Sequence, residues 1–265
     1  MAEQYSRVAL DVLSELLADQ TERLGTDHRE TTATRVRLDY WQRQHRNRRV
    51  HSGEPGKARD ATSRVFDDEI LPPGQRLVEG WPARHYGPVP KFRQERWEFR
   101  VFGATASGDK HSWGFEEFIE LPLVTVVADM HCVSRKTVPG NEWSGVATST
   151  ILALAPPAPD VTHVMVWAEY GFSANIRLHE FASDQTLLAR FRNGEALTPE
   201  HGFPVRLVVP SLYAYKGPKW VRGIEYMTED RRGFWEERGY HNIGEVWAEQ
   251  RYSYQEDLGE GPSFA

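Results

Sequence analysis

A chain of 265 residues is long enough for one large domain or two small ones, with a substantial core. Its formal net charge of −6 leaves no footprint for nucleic acid as a main partner. The single cysteine excludes an internal disulfide and suits a reducing compartment, and no apolar run approaches the length of a membrane span.

Residues 5 to 24 place Val8, Leu10, Val12, Leu13, Leu16, Leu17 and Leu24 at helical spacing, which predicts an amphipathic helix stopped by Gly25. Acidic residues are scattered through this start without the basic-then-apolar order of a secretory signal, and no apolar segment follows Arg48-Arg49. The expected location is the cytoplasm. Residues 26 to 64 are rich in Arg, His, Asp and Thr; a second helix is expected near Thr31 to Arg46, then an exposed linker. We therefore divide the chain into an N-terminal helical arm, 1–65, and a main domain, 66–265.

From Leu71 the run LPPGQRLVEGWPARHYGPVPKF is dense in Pro and Gly and reads as ordered coil carrying Trp81, His85 and Tyr86. Alternation predicts a strand over Trp97 to Phe102, and Ser112 to Ile119 a short helix. Leu123 to Met130 reads as a buried strand entering a polar loop that holds Cys132. Thr148 to Leu154 suggests a helix, Thr162 to Ala168 a buried strand, Ser173 to Leu178 a further segment and Glu180 to Arg190 a helix. Asn193-Gly194 is a turn signal. Strands over Arg206 to Val209 and Trp220 to Met227 flank a Lys-Gly-Pro-Lys loop. The aromatic and charged tail is expected to wrap the surface with its rings turned inward. No repeat or low-complexity tract is present.

Three readings of Cys132 follow from its type and spacing. It is a small buried hydrophobe, a nucleophile paired with a distant His, or a soft ligand to a transition metal. Zinc wants several Cys or His at close spacing, and the adjacent His131 points to the opposite strand face. A single thiolate makes sense where a cofactor supplies the remaining ligands. Downstream, His201 and Arg206 flank a tight turn, and Lys216-Gly217-Pro218-Lys219 offers two ammonium groups and open backbone. Both suit a phosphate.

The runs HCVSRKTVPGNEWSGV, HGFPVRLVVP and KGPKW, in this order, resemble the sulfite oxidase superfamily of molybdopterin enzymes. The likeness is to the short haem-free bacterial branch related to the catalytic subunit of methionine sulfoxide reductase. It spans Leu71 to Tyr252 and leaves out residues 1 to 65. It implies an α+β fold with mixed sheets and peripheral helices, and a molybdenum held by a pterin dithiolene and Cys132. It also implies that His201 and Arg206 contact the pterin or its phosphate, and that Gly217, Pro218 and Lys219 close over the phosphate end. His85 and Tyr86 would lie against the pterin, with His131 and Ser173 as further cofactor contacts.

The activity so implied is oxygen-atom transfer to or from a small sulfur or nitrogen oxide. Electrons would pass through an external partner protein, because the chain carries no haem, flavin or iron–sulfur motif. Two other functions compete: a non-catalytic scaffold that docks a partner through the arm, and a Cys132-dependent hydrolase or transferase.

Overall fold

The computed structural model describes residues 71–262 and, before them, positions 14, 17–23, 25, 26, 31, 35 and 38. Residues 17–23 are helical, as are positions 31, 35 and 38. The rest of the expected arm and its boundary at residue 65 lie outside the described residues.

Two sheets make the α+β architecture. The five-stranded sheet has the order β3-β2-β11-β6-β7. Here β2 is Glu98–Gly103, β3 His111–Gly114, β6 His163–Ala168, β7 Ser173–Arg177 and β11 Val221–Met227. The other sheet is built on β5, Lys136–Ala147, which pairs along its length with β4, Leu123–Cys132. Its opposite edge holds β1 (Arg76–Leu77) and β8 (Leu187–Arg192). Beyond them come β9 (Glu195–Ala196) and β10 (Arg206–Val208). Three short helices connect the strands: α1 Phe115–Ile119, α2 Thr148–Leu154 and α3 Leu178–Phe181.

Strand alternation assigns the two faces of the second sheet to two cores. Leu188 and Leu207 face a large core shared with Phe99, Val166 and Ile224 of the five-stranded sheet. Leu187, Ala189 and Val208 face a smaller one, with Val126, Ala128 and Trp143. Met130 and Trp81 pack against this smaller core, and the candidate site lies beside it.

Three expectations need correction. His111–Gly114 is a strand paired with β2, so only Phe115–Ile119 of the expected helix is helical. Glu180 to Arg190 is not a helix: α3 ends at Phe181, and the apolar run that follows is β8. The segment after Cys132 is a tight turn followed by β5, not a long loop. Pro139 and Gly140 are taken up as a bulge in β5, where the Gly140 amide donates to the Asp129 carboxylate at 2.8 Å.

Candidate active site

The alternation that places Val126 and Ala128 in the smaller core carries Met130 and Cys132 into a cavity of about 600 Å³. Cys132 ends β4 at the turn into β5. The Arg135 amide closes this turn on the Cys132 carbonyl at 3.0 Å, with Arg135 in the left-handed region at φ 67°. Other parts of the chain hold the turn from behind. Gln75 donates to the Cys132 carbonyl at 3.2 Å. Buried Arg251 donates to the Val133 carbonyl at 2.7 Å and to that of Pro73 at 3.0 Å. The thiol and the Ser134 hydroxyl lie 3.0 Å apart.

The cavity gathers most of the residues singled out from sequence. His85 and Tyr86 come from the coil after β1, and His201 and Arg206 from the turn into β10. Gly217, Pro218 and Lys219 come from the loop before β11. Local geometry explains the glycines. Gly202 sits at φ 113°, and a Cβ there would come within 3.0 Å of Arg206 Cβ and 3.1 Å of Lys219 Cβ. A Cβ on Gly217 would meet the Leu207 carbonyl at 2.6 Å, so only glycine lets the loop lie on β10.

Arg206 is 3% exposed. Its Nη1 donates to the His201 carbonyl at 3.2 Å, and its Nε has no partner. No carboxylate among the described residues neutralises it. Burial, and then the nearby Arg192, lower its pKa to about 10. The guanidinium lies 5.3 Å from the ring centre of Trp81, and Arg192 lies 4.5 Å from it. His201 stacks on Trp81 at 3.9 Å. Both His201 nitrogens are engaged within the protein: Nε2 donates to the Trp81 carbonyl and Nδ1 accepts from Thr198, each at 2.9 Å. What His201 offers the cavity is ring surface. Lys219 donates to the Arg84 and Glu200 carbonyls at 2.7 Å. Burial, then Arg206, bring its pKa down to about 7.

Two candidates lie outside the cavity wall. His131 is 1% exposed on the other face of β4, bonded through Nδ1 to Thr137 Oγ1 at 2.9 Å, and burial lowers its pKa to about 4. Ser173 is buried at the start of β7, where its carbonyl accepts from the Phe234 amide at 2.9 Å. Its backbone thereby meets Phe234, which is part of the wall.

Lys216 does not offer its ammonium to the cavity as expected. It is 1% exposed and donates to Glu236 Oε1 at 2.6 Å, Asn175 Oδ1 at 2.7 Å and the Asn242 carbonyl at 2.7 Å. Tyr170 was missed from sequence. It sits at the rim, 67% exposed and left-handed at φ 60°. The aromatic tail was expected to turn inward, and Phe234, Trp235 and Tyr240 do line the site.

The donor set is thus one soft thiol, unneutralised cationic groups and stacked aromatic surface. No group of three His, Cys, Asp or Glu that could hold a metal occurs among the described residues. Such a site suits an anionic, planar cofactor that brings most of a metal's ligands with it. The orphaned Arg206 Nε and the Cys132 thiol fit a phosphate-bearing pterin with molybdenum.

Comparison with known proteins agrees. Residues 86–235 match the oxidoreductase molybdopterin binding domain, and the chain belongs to this family of sulfite oxidase-like molybdenum oxidoreductases. The uncharacterized oxidoreductase YuiH of Bacillus subtilis is 37% identical over 185 residues, covering 69% of this chain and 92% of that protein. The putative protein-methionine-sulfoxide reductase subunit YedZ1 of Azospira oryzae is 29% identical, covering 68% and 70%. Rat mitochondrial sulfite oxidase is 27% identical over 68% of this chain, which spans 39% of that protein. The sulfane dehydrogenase SoxCD of Paracoccus pantotrophus shares the fold, with a TM-score of 0.50 at 21% identity, over 68% of this chain and 57% of that one. No helix among the described residues is long and apolar enough to cross a membrane.

Proposed function

We propose that this oxidoreductase transfers an oxygen atom to or from a small sulfur or nitrogen oxide, with Cys132 as the protein ligand to molybdenum. The observation that carries the reading is that a soft thiol and a buried, unneutralised guanidinium open into one cavity. Bound there, the molybdenum–pterin group supplies two-electron oxygen-atom exchange with a substrate lone pair. The chain's own groups do the rest. Cys132 Sγ provides a polarisable ligand from a turn clamped by Gln75 and Arg251. Arg206 and Lys219 would neutralise the phosphate end, and Gly217 and Pro218 would hold it. The Trp81–His201 stack and the ring of Phe234 would exclude water and offer flat surface to the bound group. Electrons pass one at a time to or from an external carrier protein.

The test is metal analysis of protein expressed with ample cofactor, together with the absorption spectrum of its oxidised form and turnover with oxygen-labelled substrate. Near-stoichiometric molybdenum, a thiolate-to-metal band lost in Cys132→Ser, and label passed between substrate and water are expected. A metal-free wild type defeats the reading. A Cys132→Ser variant that keeps the band and its turnover defeats the ligand assignment.

A further inference from the structure

The Ser134 hydroxyl lies 3.0 Å from Cys132 Sγ, two residues along the same turn. A thiolate bound to a metal has no proton to give, so in that state Ser134 must be the donor and sulfur the acceptor. The turn fixes the pair. It is closed by the Arg135 amide on the Cys132 carbonyl, and the carbonyl of Val133, between the two residues, is held by Arg251 at 2.7 Å. Ser134 also lines the cavity, beside the thiol it faces.

We infer that Ser134 is a positioning and tuning residue for the metal thiolate, donating a hydrogen bond that draws electron density from Cys132 Sγ and sets the metal's redox poise. This rests on the assignment of Cys132 as the molybdenum ligand. The physical basis is general. A hydrogen bond to a ligating sulfur stabilises its filled orbitals, weakens donation to the metal and favours the reduced metal. Removing it has two linked effects. The metal becomes harder to reduce, and the sulfur-to-metal charge-transfer band falls in energy.

The test uses the loaded enzyme and three proteins: wild type, Ser134→Ala and Ser134→Thr. Molybdenum content, the position of the oxidised band and the midpoint potential are read on each. Expected are equal molybdenum per chain in all three, a band moved to longer wavelength and a more negative potential in Ser134→Ala, and restoration of both in Ser134→Thr. Full occupancy with band and potential unmoved in Ser134→Ala overturns the inference. So does loss of molybdenum in Ser134→Ala with a stable fold, which makes the serine a structural support. Wild type without molybdenum, or a band that survives Cys132→Ser, fails the underlying assignment instead, and the two failures are thereby distinguished.

Discussion

Arg206 is an unpaired charge buried ahead of any ligand. Burying a guanidinium without a counter-charge is unfavourable, so the free protein carries a destabilising group whose partner arrives with the cofactor. Arg206→Met removes the charge and keeps most of the volume. The expected outcome is a metal-free protein more stable than wild type in urea by ~1 kcal/mol, with cofactor content reduced at least tenfold. Lys219 makes the matching pH prediction. Its folded pKa of about 7 lies below the usual 10.5, so above pH 7 the free protein has this amine neutral. A phosphate restores the charge, and binding takes up a proton. Affinity of metal-free protein for the pterin phosphate is expected to fall by up to about tenfold per pH unit above 7. Calorimetry at pH 8 in two buffers of different ionisation enthalpy measures the uptake, and Lys219→Arg abolishes it. His131 works through stability. Its folded pKa, about 4, lies below the ordinary 6.5, so the stability is present above pH 6.5 and lost as pH falls toward 4. The loss is about 3 kcal/mol. Urea titrations at pH 7 and pH 4.5 are expected to show most of it in wild type and little of it in His131→Asn.

At the scale of elements, much of the site was legible because its parts are local. The HGFPVR turn, the Gly-Pro-Lys loop and the cysteine strand each carry their own signals, and alternation alone put Cys132 and His131 on opposite faces. What failed were segments whose state depends on distant partners. Leu187-Leu188-Ala189 is apolar on both faces because β8 divides the two cores, and so short an apolar run fits helix or strand equally. Pro139-Gly140 reads as part of the polar loop after the cysteine strand, yet β5 passes through it as a bulge, with the Gly140 amide bonded to the Asp129 carboxylate opposite. Lys216 and Lys219 look equivalent in KGPKW. Only the buried Glu236, twenty residues on, draws one inward and leaves the other at the cavity. Tyr170 reached the rim by a left-handed turn between β6 and β7 that nothing in Glu-Tyr-Gly-Phe announces.

Across the whole molecule the cavity stands where the connections of both sheets and the tail gather, and the Lys216 ammonium ties these parts together. It follows β10 of one sheet, bonds Asn175 in β7 of the other, and pairs with Glu236 of the tail. Burial of the pair lowers the pKa of Lys216 and raises that of Glu236, with each partner's charge opposing the shift. Lys216→Met leaves a buried carboxylate unpaired and is expected to cost about 3–5 kcal/mol. Adding Glu236→Leu removes that charge and is expected to recover most of the loss. Denaturant midpoints of wild type, single and double variants read the cycle. A double variant no better than the single would mean that the bonds to Asn175 and Asn242 dominate.

The clamp on the cysteine turn also governs when the site can exist. Arg251 joins Val133 and Pro73, residues 118 and 178 positions earlier. Gln75 reaches Cys132 across 57. Contacts of such sequence separation close late, because the intervening chain must be ordered first. During synthesis the thiol turn leaves the ribosome long before the arginine that fixes it. The pocket is therefore completed only after residue 251 has emerged, and cofactor loading is expected to follow that point.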